Sequence, residues 1–274
     1  MGLIPFLYQT AAGRLLLRPL VSRPVSALCG KLLDTRFSRI LIGPFARRNS
    51  IRTEEYDLSG VRTFNDFFCR PLKSGRRSFP DDPQALAAPC DGLLTAVPIL
   101  DGAVFPVKQS RFTLAQLLRD DALAEELKGG ICLIFRLCVQ HYHRYCYFDA
   151  GKKAPDRHIP GIYHTVRPIA LENTPVFIEN CRSLTVLDTD AFGRAVQAEV
   201  GAMLVGRIVN NRPEAGTVLR GEEKGHFAFG GSTILILLKK DVAVLRQDIL
   251  RASAGGIETP VVMGEEIGRA IKSR

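Results

Sequence analysis

Five histidines, His141, His143, His158, His164 and His226, carry most of this 274-residue chain's capacity for proton transfer near neutral pH. Two of them fall together in CVQHYHRYCYFDAG, Cys138 to Gly151, directly after the apolar run ICLIF. A strand that ends in His-Tyr-His-Arg is a platform for general acid–base work. At i, i+2 on a strand, His141 and His143 would also share a face and could take a metal ion. No third ligand accompanies them, so no metal is predicted. The same pair equally suits a hydrogen-bonded surface segment.

Two other stretches hold reactive groups beside glycine. APCDGLLT, Ala87 to Thr95, sets Asp91 and Gly92 in a turn ahead of a strand; alone, Asp-Gly is a turn signal. HFAFGGSTILILLKKD, His226 to Asp241, puts Gly230, Gly231 and Ser232 at the mouth of a long apolar run. Such a pair of glycines is a bulge or a hairpin end, or a place where one peptide bond is left open to attack. Gly231 has no Cβ, so its carbonyl can be approached and its backbone can adopt geometries closed to other residues. Ser232 lacks the G-x-S-x-G setting of a hydrolase elbow. Composition alone supports no triad.

The elements that must position these groups are mostly short strands. GLLTAVPIL, ICLIFRLCV, SLTVLDT, AEVGAMLVGRIV and STILILL are rich in Val, Ile and Leu and are separated by Gly, Pro, Asn and Asp. TFNDFFCRPLKSGRRSFPDDP reads as a short helix and then a loop. Thr113 to Gly130 is predicted as the clearest helix of the body, capped by Thr113, striped by Leu114, Leu117 and Leu118, and stopped by Gly129-Gly130. Helices do not alternate regularly with strands, which disfavours a doubly wound parallel sheet. The predicted class is α+β, a β-rich body of mainly antiparallel strands with an amphipathic helical N-terminal segment.

The charge is uneven. Of a net +9, nine basic residues against the single acid Asp34 precede Glu54. The remainder is close to neutral, which argues against a nucleic-acid-binding body. Seven scattered cysteines, odd in number and without zinc-knuckle or redox spacing, read as reduced thiols. No N-terminal window reaches the roughly 18 to 20 apolar residues of a spanning helix. Arginines, Pro19 and Pro24 break any signal-peptide pattern, and Phe6 stands where myristoylation wants Ser or Thr. Short amphipathic helices in a lipid headgroup layer fit the first 62 residues, as does a helical hairpin packed on its own domain. Residues 63–274 form the predicted second unit.

Taken in order, TFNDFFCRPLK, APCDG, HYHRYC, VGAMLVGRI (Val200 to Ile208) and KGHFAFGGST resemble the motifs of the phosphatidylserine decarboxylase family, the pyruvoyl-dependent bacterial type. The likeness runs from about Thr63 to Asp241. It implies self-cleavage between Gly231 and Ser232 into chains 1–231 and 232–274, which stay associated. Ser232 would become the covalent pyruvoyl cofactor, with no external cofactor and no metal. Asp91 would orient a histidine, His143, that takes the Ser232 proton. The pyruvoyl ketone would form a Schiff base with phosphatidylserine and release carbon dioxide, leaving phosphatidylethanolamine. An anionic lipid substrate suits the basic N-terminus, so the protein is expected as a peripheral one on the cytoplasmic side of the cell membrane, with no nucleic-acid partner.

The chain departs from the family at one place. Many relatives read Asp-Tyr-His-Arg-Val-His where this chain reads His141-Tyr142-His143-Arg144-Tyr145-Cys146. Cys146 occupies the second histidine's position and His141 replaces an acid, so His164, in GIYHTVRP, is held as the reserve for the missing imidazole. Lys108, Arg144 and Arg182 are cations on offer to the headgroup, with no ground for choosing among them. Three other readings remain: an inactive or lipid-binding relative, a serine hydrolase on the same scaffold, and a decarboxylase of a soluble amine.

Overall fold

Amphipathic spacing in the first fifth of the chain produces α1 (Leu3–Gln9), α2 (Ala11–Leu20), α3 (Arg23–Leu33) and α4 (Ile42–Arg48) in the computed structural model. The structure describes residues 2–100, 104–107, 110–203, 207–228 and 232–271. Thr10 starts α2 by accepting the Gly13 N–H at 2.9 Å. The crossing of α1 and α2 demands that glycine, because a Cβ there would lie 2.0 Å from Phe6 O. Leu7, Tyr8, Leu17 and Val21 are buried in one core cluster with Leu114, Leu117 and Phe177 of the body. The opposite side is bare: Leu15, Leu16, Leu28, Leu32, Phe37 and Ile40 are all exposed. One face of this segment therefore packs on the body, and the other is apolar and open.

The aromatic motif forms α5 (Phe64–Phe68), held by a capping box in which Thr63 and Asp66 satisfy each other's backbone N–H. The first strands are β1 (Ala85–Ala87), β2 (Gly92–Pro98), β3 (Val104–Val107), β4 (Ser110–Thr113), β5 (Ile131–Leu137), β6 (Arg144–Cys146), β7 (Gly151–Lys153), β8 (Arg157–Ile159) and β9 (Arg182–Thr189). Then follow β10 (Gly193–Gly201), β11 (Ile208–Asn210), β12 (Gly216–Val218), β13 (Glu223–Phe227), β14 (Ser232–Leu238), β15 (Ala243–Leu245), β16 (Thr259–Val261) and β17 (Glu266–Ala270).

Nine of these make the main sheet in the order β12-β7-β9-β10-β14-β5-β2-β16, with β8 beside β9. Its ladders are antiparallel. The fold is α+β with a β-rich body, as the sequence predicts. Alternation along the strands gives the sheet two apolar faces. Leu94, Leu133, Phe135, Ile234 and Ile236 pack with Tyr145, Phe148 and Phe227, next to the small sheet β11-β13-β6. Val97, Ile134, Leu235, Leu237 and Val196 face the other way, onto the helices.

One predicted helix is two. Thr113–Gly130 forms the helices Leu114–Leu118 and Asp121–Glu126, with Arg119 between them in the left-handed conformation at φ 49°. Asp120 accepts the Leu123 N–H at 3.0 Å, so the stretch contains a second helix start that the apolar stripe conceals. Leu114, Leu117 and Leu118 are buried as expected.

Candidate active site

Three strand ends meet at one edge of the main sheet. Thr233 and Leu93 both pair with Arg136, so β14 and β2 start where β5 ends. Asp91 lies just before β2, Ser232 opens β14, and the segment bearing His141 and His143 leaves β5 between them. Neighbouring strands are about 4.8 Å apart, so the two outer starts stand roughly 10 Å apart.

Ser232 is fully buried, and its Oγ has no hydrogen-bond partner among the described residues. A buried hydroxyl left bare costs about 1–3 kcal/mol, and the adjacent Thr233 Oγ1 is left bare as well. On one side of Ser232 lies Gly201, on the other Leu137. With no side chain on Gly201, that flank of the hydroxyl is uncrowded. Residues 229–231, and with them the Gly230-Gly231 pair and the Gly231–Ser232 bond, lie outside the described residues.

His141 and His143 sit in the turn after β5, ahead of β6, so strand alternation does not set their faces. His143 is fully buried, and its ring centroid lies 4.1 Å from that of Phe68 in α5. Its Nδ1 is 2.9 Å from His141 O. A carbonyl only accepts, so Nδ1 carries the hydrogen and Nε2 is left as the basic nitrogen. The His143 carbonyl in turn accepts the Phe227 N–H at 3.0 Å, tying the histidine to the end of β13, five residues before Ser232. His141 has the other tautomer, because its Nδ1 accepts the Cys138 N–H at 3.0 Å. Burial lowers the His141 pKa, and the charge of Asp91 opposes that shift.

The Asp91 carboxylate is occupied by other groups. Its oxygens are held by Arg77 Nε at 3.1 Å, Arg77 Nη2 at 2.6 Å and the Met263 N–H at 2.8 Å. The carboxylate is thus clamped in a nearly buried bidentate pair. The orienting role the family likeness assigns to Asp91 is filled at His143 Nδ1 by a backbone carbonyl. Arg77 was not singled out in the sequence: it lies in the loop KSGRRSFP, where no periodicity marks it.

Cys146 is fully buried, its Sγ donates to Pro89 O at 3.3 Å, and burial pushes its thiol pKa up. It anchors the chain two residues before Asp91. The His164 ring engages α1. Its Nδ1 accepts from Tyr8 OH at 3.1 Å, its Nε2 lies 3.1 Å from Glu179 Oε2, and burial pulls its pKa down to about 4. The ring partners of the reserve imidazole are thus Tyr8 and Glu179. Arg182 is buried and donates to the carbonyls of Gln116, Leu117, Ile178 and Asn180. Arg144 pairs with Glu223 at 2.8 Å and donates to Cys69 O. Lys108 lies outside the described residues.

The family model described as phosphatidylserine decarboxylase matches residues 64–269, past the Asp241 limit of the motifs. The phosphatidylserine decarboxylase proenzyme 2 of Clostridium acetobutylicum is 41% identical over 268 residues, 97% of this chain and 91% of its own. The phosphatidylserine decarboxylase proenzyme of Ruminiclostridium cellulolyticum is 40% identical over 277 residues, 99% of this chain and 92% of its own. That of Clostridium tetani is 36% identical over 253 residues, 91% and 85% of the two chains.

Proposed function

Since the chain belongs to the phosphatidylserine decarboxylase family, we propose that it converts phosphatidylserine to phosphatidylethanolamine and carbon dioxide after turning its own Ser232 into a pyruvoyl group. The bare, buried Ser232 hydroxyl at the start of a central strand is the observation that carries this reading. His143 Nε2 takes the proton from Ser232 Oγ, and its tautomer is held for that task by His141 O. The oxygen attacks the Gly231 carbonyl, the Gly231–Ser232 C–N bond breaks, and the acyl group passes to Oγ. Loss of the Cα proton and of the Oγ ester as a Gly231 carboxylate leaves dehydroalanine, which takes up water and releases ammonia. The resulting ketone supplies an electrophile for the substrate amine and a sink for the electrons freed as carbon dioxide leaves. His143 Nε2, once protonated, returns a proton to the carbon that carbon dioxide vacates.

The open side of the N-terminal segment supports membrane contact. Phe37 and Ile40 are 90% and 80% exposed, and Arg36 and Arg39 stand beside them in the chain. Apolar groups that dip into a headgroup layer with arginines meeting anionic lipid fit this face. No helix among the described residues is long and apolar enough to cross a membrane. The proposed place of the protein is the membrane surface, on the cytoplasmic side.

Intact mass tests the reading. The purified protein is expected as two polypeptides, 1–231 and 232–274, the smaller without an amino group at its start, whereas Ser232→Ala is expected as one 30.2 kDa chain. An uncut wild-type chain that labels with a fluorophosphonate would make it a serine hydrolase instead.

A further inference from the structure

A cleft of about 390 Å³ lies between α3 and the body. Arg23, Ser26, Gly30 and Lys31 line it from one face of α3, at the spacing of a helical stripe. From the body come Tyr163, Cys181, Arg207 and Ala228. We infer that this cleft receives the phosphodiester of the lipid headgroup, an inference that rests on the decarboxylase reading above.

Charge and an orphaned donor point to an anion. Arg23, Lys31 and Arg207 stand around the opening against one acid, Asp34, which already accepts the Asn65 amide at 2.8 Å. Ser26 is 5% exposed, and its Oγ has no hydrogen-bond partner among the described residues. A hydroxyl buried without a partner in a cationic cleft suits a phosphate oxygen. Arg23 Nε donates to Gly161 O at 2.9 Å, which pins α3 to the body and leaves the guanidinium's outer nitrogens for a ligand.

Position points to this substrate. Ala228 N–H donates to Arg207 O at 3.0 Å, four residues before Ser232. Cys181 O accepts the Gly201 N–H at 2.9 Å, and Gly201 faces Ser232 across the ladder. The cleft thus borders the sheet edge where the reaction is placed. On the other side of α3, Leu28 and Leu32 are 59% and 60% exposed. A lipid whose tails stay in the bilayer on that side can pass its headgroup beside α3 toward Ser232.

The test reads binding apart from catalysis. Full-length Ser232→Ala protein is titrated with glycerophosphoserine, the soluble headgroup, and with inorganic phosphate. Adding Lys31→Gln and Arg207→Gln together should weaken glycerophosphoserine at least tenfold, and Ser26→Ala about threefold. Lys31 and Arg207 are exposed, so these changes leave the fold intact. The same charge loss at the exposed Lys152 and Lys240, which do not line the cleft, should change the affinity less than twofold. In the wild-type background, Lys31→Gln/Arg207→Gln should raise KM for phosphatidylserine in mixed micelles about tenfold with kcat within threefold. Unchanged glycerophosphoserine affinity in the Lys31/Arg207 variant overturns the inference. So does inorganic phosphate binding as tightly as glycerophosphoserine, which would make the cleft a site for free phosphate. An uncut wild-type protein that still binds glycerophosphoserine here would sink the decarboxylase reading and leave the cleft standing.

Discussion

His143 directs Nδ1 to the His141 carbonyl, 2.9 Å away, while the Asp91 carboxylate is held by Arg77. The basic nitrogen of the candidate site is therefore set by main chain, and the acid beside it is tied into a separate clamp. Replacing the imidazole should stop processing. A general base contributes about 10²–10⁴-fold to such a step. His143→Ala is expected to remain a single band at 30.2 kDa on a denaturing gel. Normal cleavage in that variant would remove His143 from the reaction.

The Arg77–Asp91 clamp makes a prediction about stability. Breaking one side of a buried ion pair costs about 3–5 kcal/mol, because the other charge is left without compensation. Here both side chains are close to buried, at 12% and 9% exposure, though Glu55 at 3.5 Å gives Arg77 a second partner. Asp91→Ala should accordingly lower the melting temperature more than Asp91→Ala/Arg77→Met does. If the double variant melts no higher than the single one, the clamp is not what holds Asp91 in place.

Acid should loosen the N-terminal helices through His164. Its neutral ring is fully served: Thr165 N–H donates to Tyr8 OH, Tyr8 OH to Nδ1, and Nε2–H to Glu179. The folded pKa near 4 lies below the unfolded value of about 6.5. Above pH 6.5 both states are neutral and stability is complete. As pH falls from 6.5 toward 4 the unfolded chain takes up the proton first, and up to about 3 kcal/mol is lost. Urea titrations across that window should show the slope in the wild type and a flatter one in His164→Phe; equal slopes would refute the assignment.

The open apolar side should govern lipid partitioning. Phe37→Glu/Ile40→Glu removes two of its most exposed side chains. Burying such a side chain is worth about 1.5–3 kcal/mol. Flotation with phosphatidylglycerol vesicles should show binding down more than tenfold while cleavage into two chains stays complete. Undiminished flotation would place the lipid contact elsewhere.

Much of the fold could be read from residue types. STILILL announces a buried strand, and its seven residues are all buried as β14. The antiparallel body follows from short apolar runs broken by turn residues. The helix break at Arg119 was hidden because no Gly or Pro follows the Leu114, Leu117 and Leu118 stripe before Gly129, while the cap at Asp120 is a local event. In the site, the chemistry-bearing types stood out, but their partners did not. A carbonyl acceptor such as His141 O has no residue-type signature, and Arg77 reaches Asp91 from a loop whose path no pattern encodes.

The placement of β14 also governs what would become of the molecule if it is cut as proposed. Its seven residues are laced to β10 on one side and β5 on the other, and the same terminal piece supplies β16 to β2 and β17 to β1. A severed fragment woven through two sheets cannot be exchanged without unraveling its host. On the proposed processing, maturation would be a single-use act: a copy whose ketone were spoiled would have no route to repair by subunit replacement and would have to be synthesised anew.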